Sequence, residues 1–390
     1  MPRPVALLTL DPREDRTPVV VAARRTPVGR VGGALSALDV TALSAPVLRS
    51  LAADLPEAVD EVVLGNCTGP GGDPARVASL AAGLGIEVPA LTVDRQCGSG
   101  LEAIAVAAQR VALGATFVIA GGVESASTAP LRHALRPDGS RSPYTRAPFA
   151  PPAFGDPDMG PAAEALAADA GVSRERQDEY AQRSHRLAVR TADRGGFDAE
   201  LVPLTGVSGV DERPRRGLRL DQLARFRPAF RENGTVTVGN SCGVNDGAAA
   251  VAVVSEATRR RLGLPGLAIR AYASSGVDPR LPGRGPVPAV RAVLAAASLT
   301  IADVGVLEIT EAFAAQVLAC TDELGIDATG DVVCPEGGAI ALGHPWGASG
   351  ALLVLRLFSQ LVRSDGPRWG VATCAVGGGQ GVALLVERVG

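Results

Sequence analysis

The chain has 390 residues, 46% of them hydrophobic, with a mean hydropathy of +0.19 and a formal net charge of −3. Core material is ample, the length calls for two or three domains, and no global basic field recruits nucleic acid. Lysine is absent. That excludes side-chain Schiff bases, hence pyridoxal-phosphate enzymes and lysine aldolases, and leaves any Walker A loop without its cation.

Residues 1–15 carry only a brief apolar stretch before Asp11, Arg13, Glu14 and Asp15, so no signal peptide is expected. No apolar run approaches the ~20 residues that span a bilayer. The cysteines, Cys67, Cys97, Cys242, Cys320, Cys334 and Cys374, form no Cys-x-x-Cys pair. With only His133, His185 and His344 beside them, no metal site is expected. The reading is a cytoplasmic protein with reduced thiols and no membrane partner.

Residues 18–23 read as a buried strand, followed by a turn at Arg25-Thr26-Pro27-Val28-Gly29. A helix is predicted over 40–53, a strand over 61–65 and a helix over 75–84. An extended run at 91–93 leads to Cys97, and an Ala-rich helix follows over 101–113. A strand over 116–120 ends at Gly121-Gly122. Strands alternating with helices predict a parallel α/β sheet. From about 125 to 245 the character changes: Pro, Arg and Asp are dense between Pro130 and Pro161. Ser173 then caps a polar helix running to about Arg194, within an insertion expected to lie mostly on the surface. Apolar runs return at 248–254 and 268–272.

The last third repeats the first in outline. Gly347-Ala348-Ser349-Gly350 opens a helix over 351–361, as Gly98-Ser99-Gly100 opens its own, and a strand over 370–373 ends near Gly377-Gly378-Gly379. The repeat predicts two similar halves about a pseudo-twofold, with a catalytic centre drawing on both turns.

Cys97 sits where an extended run meets a glycine turn and a helix begins. A thiol there faces the positive end of the helix dipole, which favours thiolate. The flanking glycines admit a carbonyl and leave backbone N–H groups for an oxyanion. This is the layout of a nucleophile, although most free cysteines are small buried hydrophobes.

Segments along nearly the whole chain carry a family resemblance. They are Arg25-Thr26-Pro27-Val28-Gly29, Cys97-Gly98-Ser99-Gly100-Leu101, Ala120-Gly121-Gly122-Val123-Glu124-Ser125 and Gly239-Asn240-Ser241-Cys242-Gly243-Val244-Asn245-Asp246-Gly247-Ala248. Glu311-Ala312-Phe313-Ala314, Gly337-Gly338-Ala339-Ile340-Ala341-Leu342-Gly343-His344-Pro345 and Gly377-Gly378-Gly379-Gln380-Gly381 come after them. In these blocks and their order the chain resembles the thiolase family, acetyl-CoA C-acetyltransferases and 3-ketoacyl-CoA thiolases. The resemblance implies a five-layered αβαβα fold of two similar halves with an inserted loop domain. It assigns residues 1–124 plus 246–267 to the N-terminal half, 125–245 to the insertion and 268–390 to the C-terminal half. It also implies a homodimer or homotetramer acting on coenzyme A thioesters, with acyl-CoA and CoA as substrates rather than a permanently bound cofactor.

By the same resemblance Cys97 takes the acyl group as a thioester, His344 activates it, and the N–H groups of Cys97 and Gly377 hold the acyl oxygen. The residues agree on His344, the only histidine among apolar and glycine neighbours. His133 in the insertion and His185 on a polar helix are expected to be solvated.

Two departures from the family pattern bear on mechanism. A second cysteine, acting as acid and base, normally stands two residues before the glycine triplet, where this chain has Ala375. Cys374 is one residue too early, and in an extended strand that turns it to the opposite face unless a β-bulge restores it. Thr310 stands where an Asn usually holds a water for the second oxyanion hole, and its hydroxyl offers one donor instead of two. Cys242 replaces a Ser that often lies against the coenzyme A chain. Arg213, Arg215, Arg216, Arg219, Arg225, Arg227 and Arg231 cluster in the insertion. Arginine forks suit phosphate, and Arg215 matches a coenzyme-contacting position; Met159 and Phe313 match positions along the pantetheine arm. The leading function is thiolase-type acyl transfer through Cys97 to acetyl-CoA or CoA. The alternatives are acyl transfer without carbon–carbon chemistry and a silent ligand-binding scaffold.

Overall fold

The apolar runs become strands and the Ala-rich stretches between them become helices in a computed structural model that describes residues 5–6 and 14–390. The N-terminal stretch from which no signal peptide is expected lies largely outside these described residues. In chain order the principal strands are β1 (Pro18–Arg25), β2 (Glu61–Gly65), β3 (Ala90–Val93), β4 (Phe117–Ser125), β5 (Asn245–Ser255), β6 (Gly266–Gly276), β7 (Val306–Ile309), β8 (Trp369–Val376) and β9 (Gln380–Val389). The principal helices are α1 (Val40–Ala53), α2 (Pro74–Ala82), α3 (Ser99–Ala112), α4 (Met159–Asp169), α5 (Arg174–Asp193), α6 (Pro286–Ala296), α7 (Ala314–Leu324) and α8 (Trp346–Leu357).

The hydrogen-bonded order is β3-β2-β4-β5-β1-β6-β9-β8-β7. In the first half β2 pairs parallel with β4, β4 antiparallel with β5, and β5 antiparallel with β1. In the second half β7, β8, β9 and β6 repeat that order and those directions. Even the irregularity is repeated: register shifts once in the first strand of each half, between Val20 and Ala22 and between Ile269 and Ala271. The sheet is therefore mixed rather than parallel throughout, because the last strand of each half returns by a hairpin or a long connection. Leu267 opposite Val20 and Ala268 opposite Val19 join the two halves.

Three clusters of buried side chains separate five layers. On one outside, Leu43, Leu48 and Leu51 of α1 and Ala78 of α2 pack on Val62, Ile119 and Val254. On the other, Val287 and Val290 of α6 and Val317 and Leu318 of α7 pack on Leu307, Val371 and Leu385. In the middle, Leu101 and Ile104 of α3 and Leu353 and Val354 of α8 lie between Val118 and Val251 of one half and Ala372 and Leu384 of the other.

The glycines of the two central helices are placed differently from the sequence expectation. Gly100, Gly347 and Gly350 lie inside the first turns of α3 and α8 rather than before them. A Cβ on Gly100 would fall 2.8 Å from Ala351 N and 2.9 Å from Gly347 O, and one on Gly350 would fall 2.3 Å from Leu101 N. The two helix starts cross backbone against backbone, and only glycine permits that approach.

Ser173 caps α5 as expected, accepting from Arg176 N at 3.3 Å. The helix does not lie on the surface, however. Tyr180, Ala181, Ser184, His185 and Ala188 are buried, and Tyr180 Oη and Ser184 Oγ donate to Glu311 at 2.8 and 2.7 Å. His185, expected to be solvated, is 4% exposed. The polar composition of α5 conceals this because its buried polar groups find partners in the C-terminal half. His133 does lie on an exposed hairpin of Arg132–Leu135 and Arg141–Tyr144. Among the described residues no helix is long and apolar enough to cross a membrane.

Candidate active site

Cys97 precedes Gly98, the N-cap residue of α3, in a turn fixed from several directions. Asp94 Oδ1 accepts from Gln96 N at 2.8 Å. Ser99 Oγ accepts from Arg95 N at 2.8 Å and donates to the Gln96 carbonyl at 2.6 Å. These bonds hold Gln96 at φ +47, a left-handed conformation that a non-glycine residue adopts only under such constraint. A Cβ on Gly98 would sit 2.9 Å from Val376 and 3.0 Å from Val382 methyls, so the turn docks directly on the last two strands of the other half.

A helix end alone predicts a lowered thiol pKa at Cys97, and the surroundings reverse its sign. Burial pushes the thiol well above its ordinary range, and Cys374 and Cys242, both close enough for their charge to reach it, push in the same direction. A dipole at one helix end does not offset the lost hydration of a thiolate here, so a nucleophilic role for Cys97 would require a base.

His344 is held as a neutral imidazole. Its backbone N–H donates to Asn245 Oδ1 at 3.0 Å, while Asn245 Nδ2 donates to the Gly29 carbonyl at 2.8 Å. Gly343, at φ +117, makes room for this clamp, since a Cβ there would fall 2.6 Å from Asn245 Cγ. Ser349 Oγ lies 2.5 Å from His344 Nδ1 and 2.9 Å from the Pro345 carbonyl. With the hydroxyl proton on that carbonyl, which also accepts from Ser349 N at 2.9 Å, Oγ is left to accept from a protonated Nδ1. Nε2 then holds the free lone pair, and it is buried without a partner among the described residues. Burial lowers the imidazole pKa to about 4, so the ring is neutral at physiological pH.

The start of α8 is anchored to the first half by Glu124. Its buried carboxylate accepts from Gly347 N at 2.9 Å, Thr68 Oγ1 at 2.6 Å and Thr68 N at 3.1 Å, which places an anion at a helix N-terminus. Glu311, also buried, accepts from Ile340 N at 3.0 Å in addition to Tyr180 and Ser184, and so holds the loop leading to His344. Ser349, Asn245, Glu124 and Glu311 thus position the site, roles that the sequence motifs contain but do not reveal. A polar residue five positions after the histidine, in the first turn of a helix, was the available signal for Ser349.

Thr310 is buried, and its Oγ1 lies 3.1 Å from Cys374 Sγ. With Ser349 and Gly343 it lines a small cavity of about 30 Å³. Burial pushes the Cys374 thiol up to about 12. Strand β8 pairs with β9 without a break from Trp369 opposite Glu387 to Val376 opposite Gln380, so no bulge shifts Cys374 into the position of Ala375. Contrary to the expectation that Cys374 is turned away from Cys97, Cys374 and Val376 face the middle cluster with Leu101 of the helix that follows Cys97, and Cys374 is close enough to act on the Cys97 thiol; Ala375, on the opposite face, is 5% exposed. Gly377 comes next, and a Cβ there would strike the Phe149 ring at 2.8 Å. Gly377 and Gln96 line the same cleft of about 620 Å³, which brings the turn of Cys97 beside the glycine triplet.

Met159, Cys242 and Phe313 come together in one apolar cluster with Ala163 and Val236. The Cys242 N–H donates to the Ala312 carbonyl at 3.0 Å, and burial pushes its thiol up to about 12. Arg215 stays outside this cluster with an exposed side chain, and its N–H donates to His185 Nδ1 at 3.2 Å. Among the described residues no group of three or more His, Cys, Asp or Glu side chains could hold a metal ion.

Family models for the thiolase N-terminal domain and the thiolase C-terminal domain match residues 18–257 and 265–388. The chain belongs to the thiolase family, and it is an acyltransferase. An acetyl-CoA acetyltransferase of Pseudomonas aeruginosa is 42% identical over 391 residues, covering 95% of this chain and 99% of that protein. The crystal structure of the Bacillus anthracis acetyl-CoA acetyltransferase superposes with a TM-score of 0.88 at 38% identity, over 96% of this chain and 99% of that one. That of human mitochondrial 3-ketoacyl-CoA thiolase in complex with CoA gives 0.87 at 34% identity, again over 96% and 99%. The five-layered thiolase fold expected from the motifs is therefore the fold of this chain.

Proposed function

We propose that this acyltransferase moves an acyl group from an acyl-coenzyme A thioester onto Cys97, with His344 Nε2 as base. In synthesis the group then passes to the α-carbon of acetyl-CoA; in the reverse direction, thiolysis, Cys97 attacks the 3-keto carbon of a 3-ketoacyl-CoA, the C2–C3 bond breaks, acetyl-CoA leaves as a carbanion that takes up a proton, and the acyl group passes from Cys97 to free coenzyme A. The observation that supports this most is the protonation pattern of His344: Ser349 leaves Nε2 as a buried, unpartnered acceptor in a protein whose candidate nucleophile needs its proton removed. As sulfur attacks the thioester carbon, Nε2 takes the thiol proton; the coenzyme A sulfur leaves and recovers that proton. The N–H groups of Cys97 and Gly377 hold the acyl oxygen. The pantetheine arm runs along Met159, Cys242 and Phe313, with Arg215 toward the phosphates. The relative crystallised with CoA supports a coenzyme A thioester as the donor.

Ala375 favours a second reading of the step after acylation. Without a thiol at that position, the acyl group passes to a nucleophile other than a carbanion. Incubation with a short acyl-CoA, followed by mass spectrometry, is the test of the first step. One acyl mass should appear on the peptide containing Cys97 and be lost in Cys97→Ser; label on the peptide containing Cys374 in its place would sink the assignment.

A further inference from the structure

Arg213 stands apart from the other arginines of the insertion. Arg216 pairs with Asp193, Arg219 with Asp221, and Arg174 with Asp178, while Arg215, Arg227 and Arg231 are exposed to water. Arg213 is half-buried, its Nε is buried without a partner, and the side chain makes no hydrogen bond or ion pair among the described residues. The acids beside it are already engaged. Asp211 accepts from Arg25 at 2.7 and 2.9 Å and from Val28 N at 2.8 Å. Glu212 accepts from Arg30 N at 2.9 Å and Ala34 N at 3.0 Å. The ionisable groups whose charge Arg213 feels are Cys242 and the like-charged Arg215, and burial lowers its pKa.

The guanidinium is nonetheless placed rather than loose. It lies against Gly243, where a Cβ would fall 2.1 Å from Nη1 and 2.5 Å from Cζ, and Pro214 restricts its backbone to extended conformations. Gly243 follows Cys242, a member of the apolar cluster with Met159 and Phe313, and Asn245, two residues further on, holds His344. A planar cation kept partly dry without an anion is unfavourable by itself; it is accounted for when the anion arrives with the ligand.

We infer that Arg213 binds an oxyanion carried by the substrate, either a carboxylate on the acyl chain or a phosphate of coenzyme A. The inference rests on the acyl-coenzyme A reading of the site. It is tested with Arg213→Leu and Arg213→Gln on three thioesters: acetoacetyl-CoA, acetoacetyl-pantetheine without phosphates, and a 3-oxo dicarboxylic acyl-CoA. If phosphate is the partner, kcat/KM should fall roughly 10- to 100-fold on both CoA thioesters and stay unchanged on the pantetheine thioester, the range for losing a hydrogen bond to a charged group. If a carboxylate is the partner, only the dicarboxylic thioester should suffer. Without ligand, Arg213→Leu should melt at or above the parent temperature, because the change removes a half-buried cation with no anion beside it. Equal losses on all three thioesters, no loss on any, or a lowered melting temperature in both variants would overturn the inference. A parent protein that acylates Cys97 with none of these thioesters would instead refute the acyl-coenzyme A reading.

Discussion

Ser349 decides which nitrogen of His344 is free: its hydroxyl donates to the Pro345 carbonyl at 2.9 Å and accepts from Nδ1 at 2.5 Å. Ser349→Ala removes the acceptor and lets the ring exchange tautomers. The expected result is acylation slower by about 5–10-fold, the equivalent of one lost hydrogen bond, with the melting temperature little changed. Single-turnover acyl-enzyme formation measures it, and a parental rate would show that Asn245 and packing orient the ring unaided.

His344→Ala should slow acylation by roughly 10²–10⁴-fold, the usual effect of losing a general base. Because burial holds the imidazole near pH 4, the parent rate should be flat between about pH 5 and 7. An acid limb centred near 6.5, the value of a solvated imidazole, would show that the ring is open to water during turnover.

Ala375→Cys should raise condensation or thiolysis by roughly 10²–10⁴-fold, the scale of a gained acid–base group, with acylation of Cys97 little altered. The family pattern puts the acid–base thiol at position 375, whereas the unbroken register of β8 against β9 turns Cys374 toward the middle cluster and Cys97 and turns Ala375 to the opposite face, so the two positions must be tested together. The paired variant is Cys374→Ala. Loss of turnover in that variant, with no gain in Ala375→Cys, would make Cys374 the acid–base despite its contact with Thr310. Silence in both would favour transfer to another nucleophile.

Acid should weaken the fold partly through two histidines. His344 and His185 are both held down to about 4 by burial, His185 also by Arg215 and Arg213. Between about 6.5 and 4 the unfolded chain takes up protons that the folded chain refuses, so their contribution lowers stability as pH falls through that window. Glu308 works the other way: burial raises it to about 8, so its contribution weakens the fold as pH rises from about 4.5 to 8. Comparing the parent with His185→Gln isolates the histidine. The variant should gain on the parent in denaturant titrations as pH drops below about 6.5, and parallel curves would remove His185 from the account.

The strands and helices that line the site were legible because each is a strong local pattern. Helix 40–53 and strand 61–65 fall where the apolar periodicity puts them, and Ser173 caps as its residue type predicts. What escaped is information held between segments. The polar face of α5 reads as solvated until Glu311 arrives from 131 residues away to accept from Tyr180. Gly100 and Gly347 read as helix openers because the partner that makes them necessary is another helix. The Cys97 turn reads as a thiolate-stabilising helix end because desolvation by the surrounding core, and the electrostatic effect of Cys374 and Cys242, have no local signature. Arg213 is one of seven clustered arginines in the sequence, and only three dimensions distinguish it from its paired and solvated neighbours.

The shared middle layer makes each half an incomplete object. α3 and α8 touch both sheets, and the glycine crossing commits each helix to the other's backbone. A chain severed in the connection near residue 260 would give two fragments, each with the inner face of its sheet stripped of one helix and of the opposing sheet. Cys97 would be on one fragment and His344 on the other. On the proposed reading neither fragment could acylate alone, because Cys97 and His344 would meet only after both copies of the repeat had closed on each other.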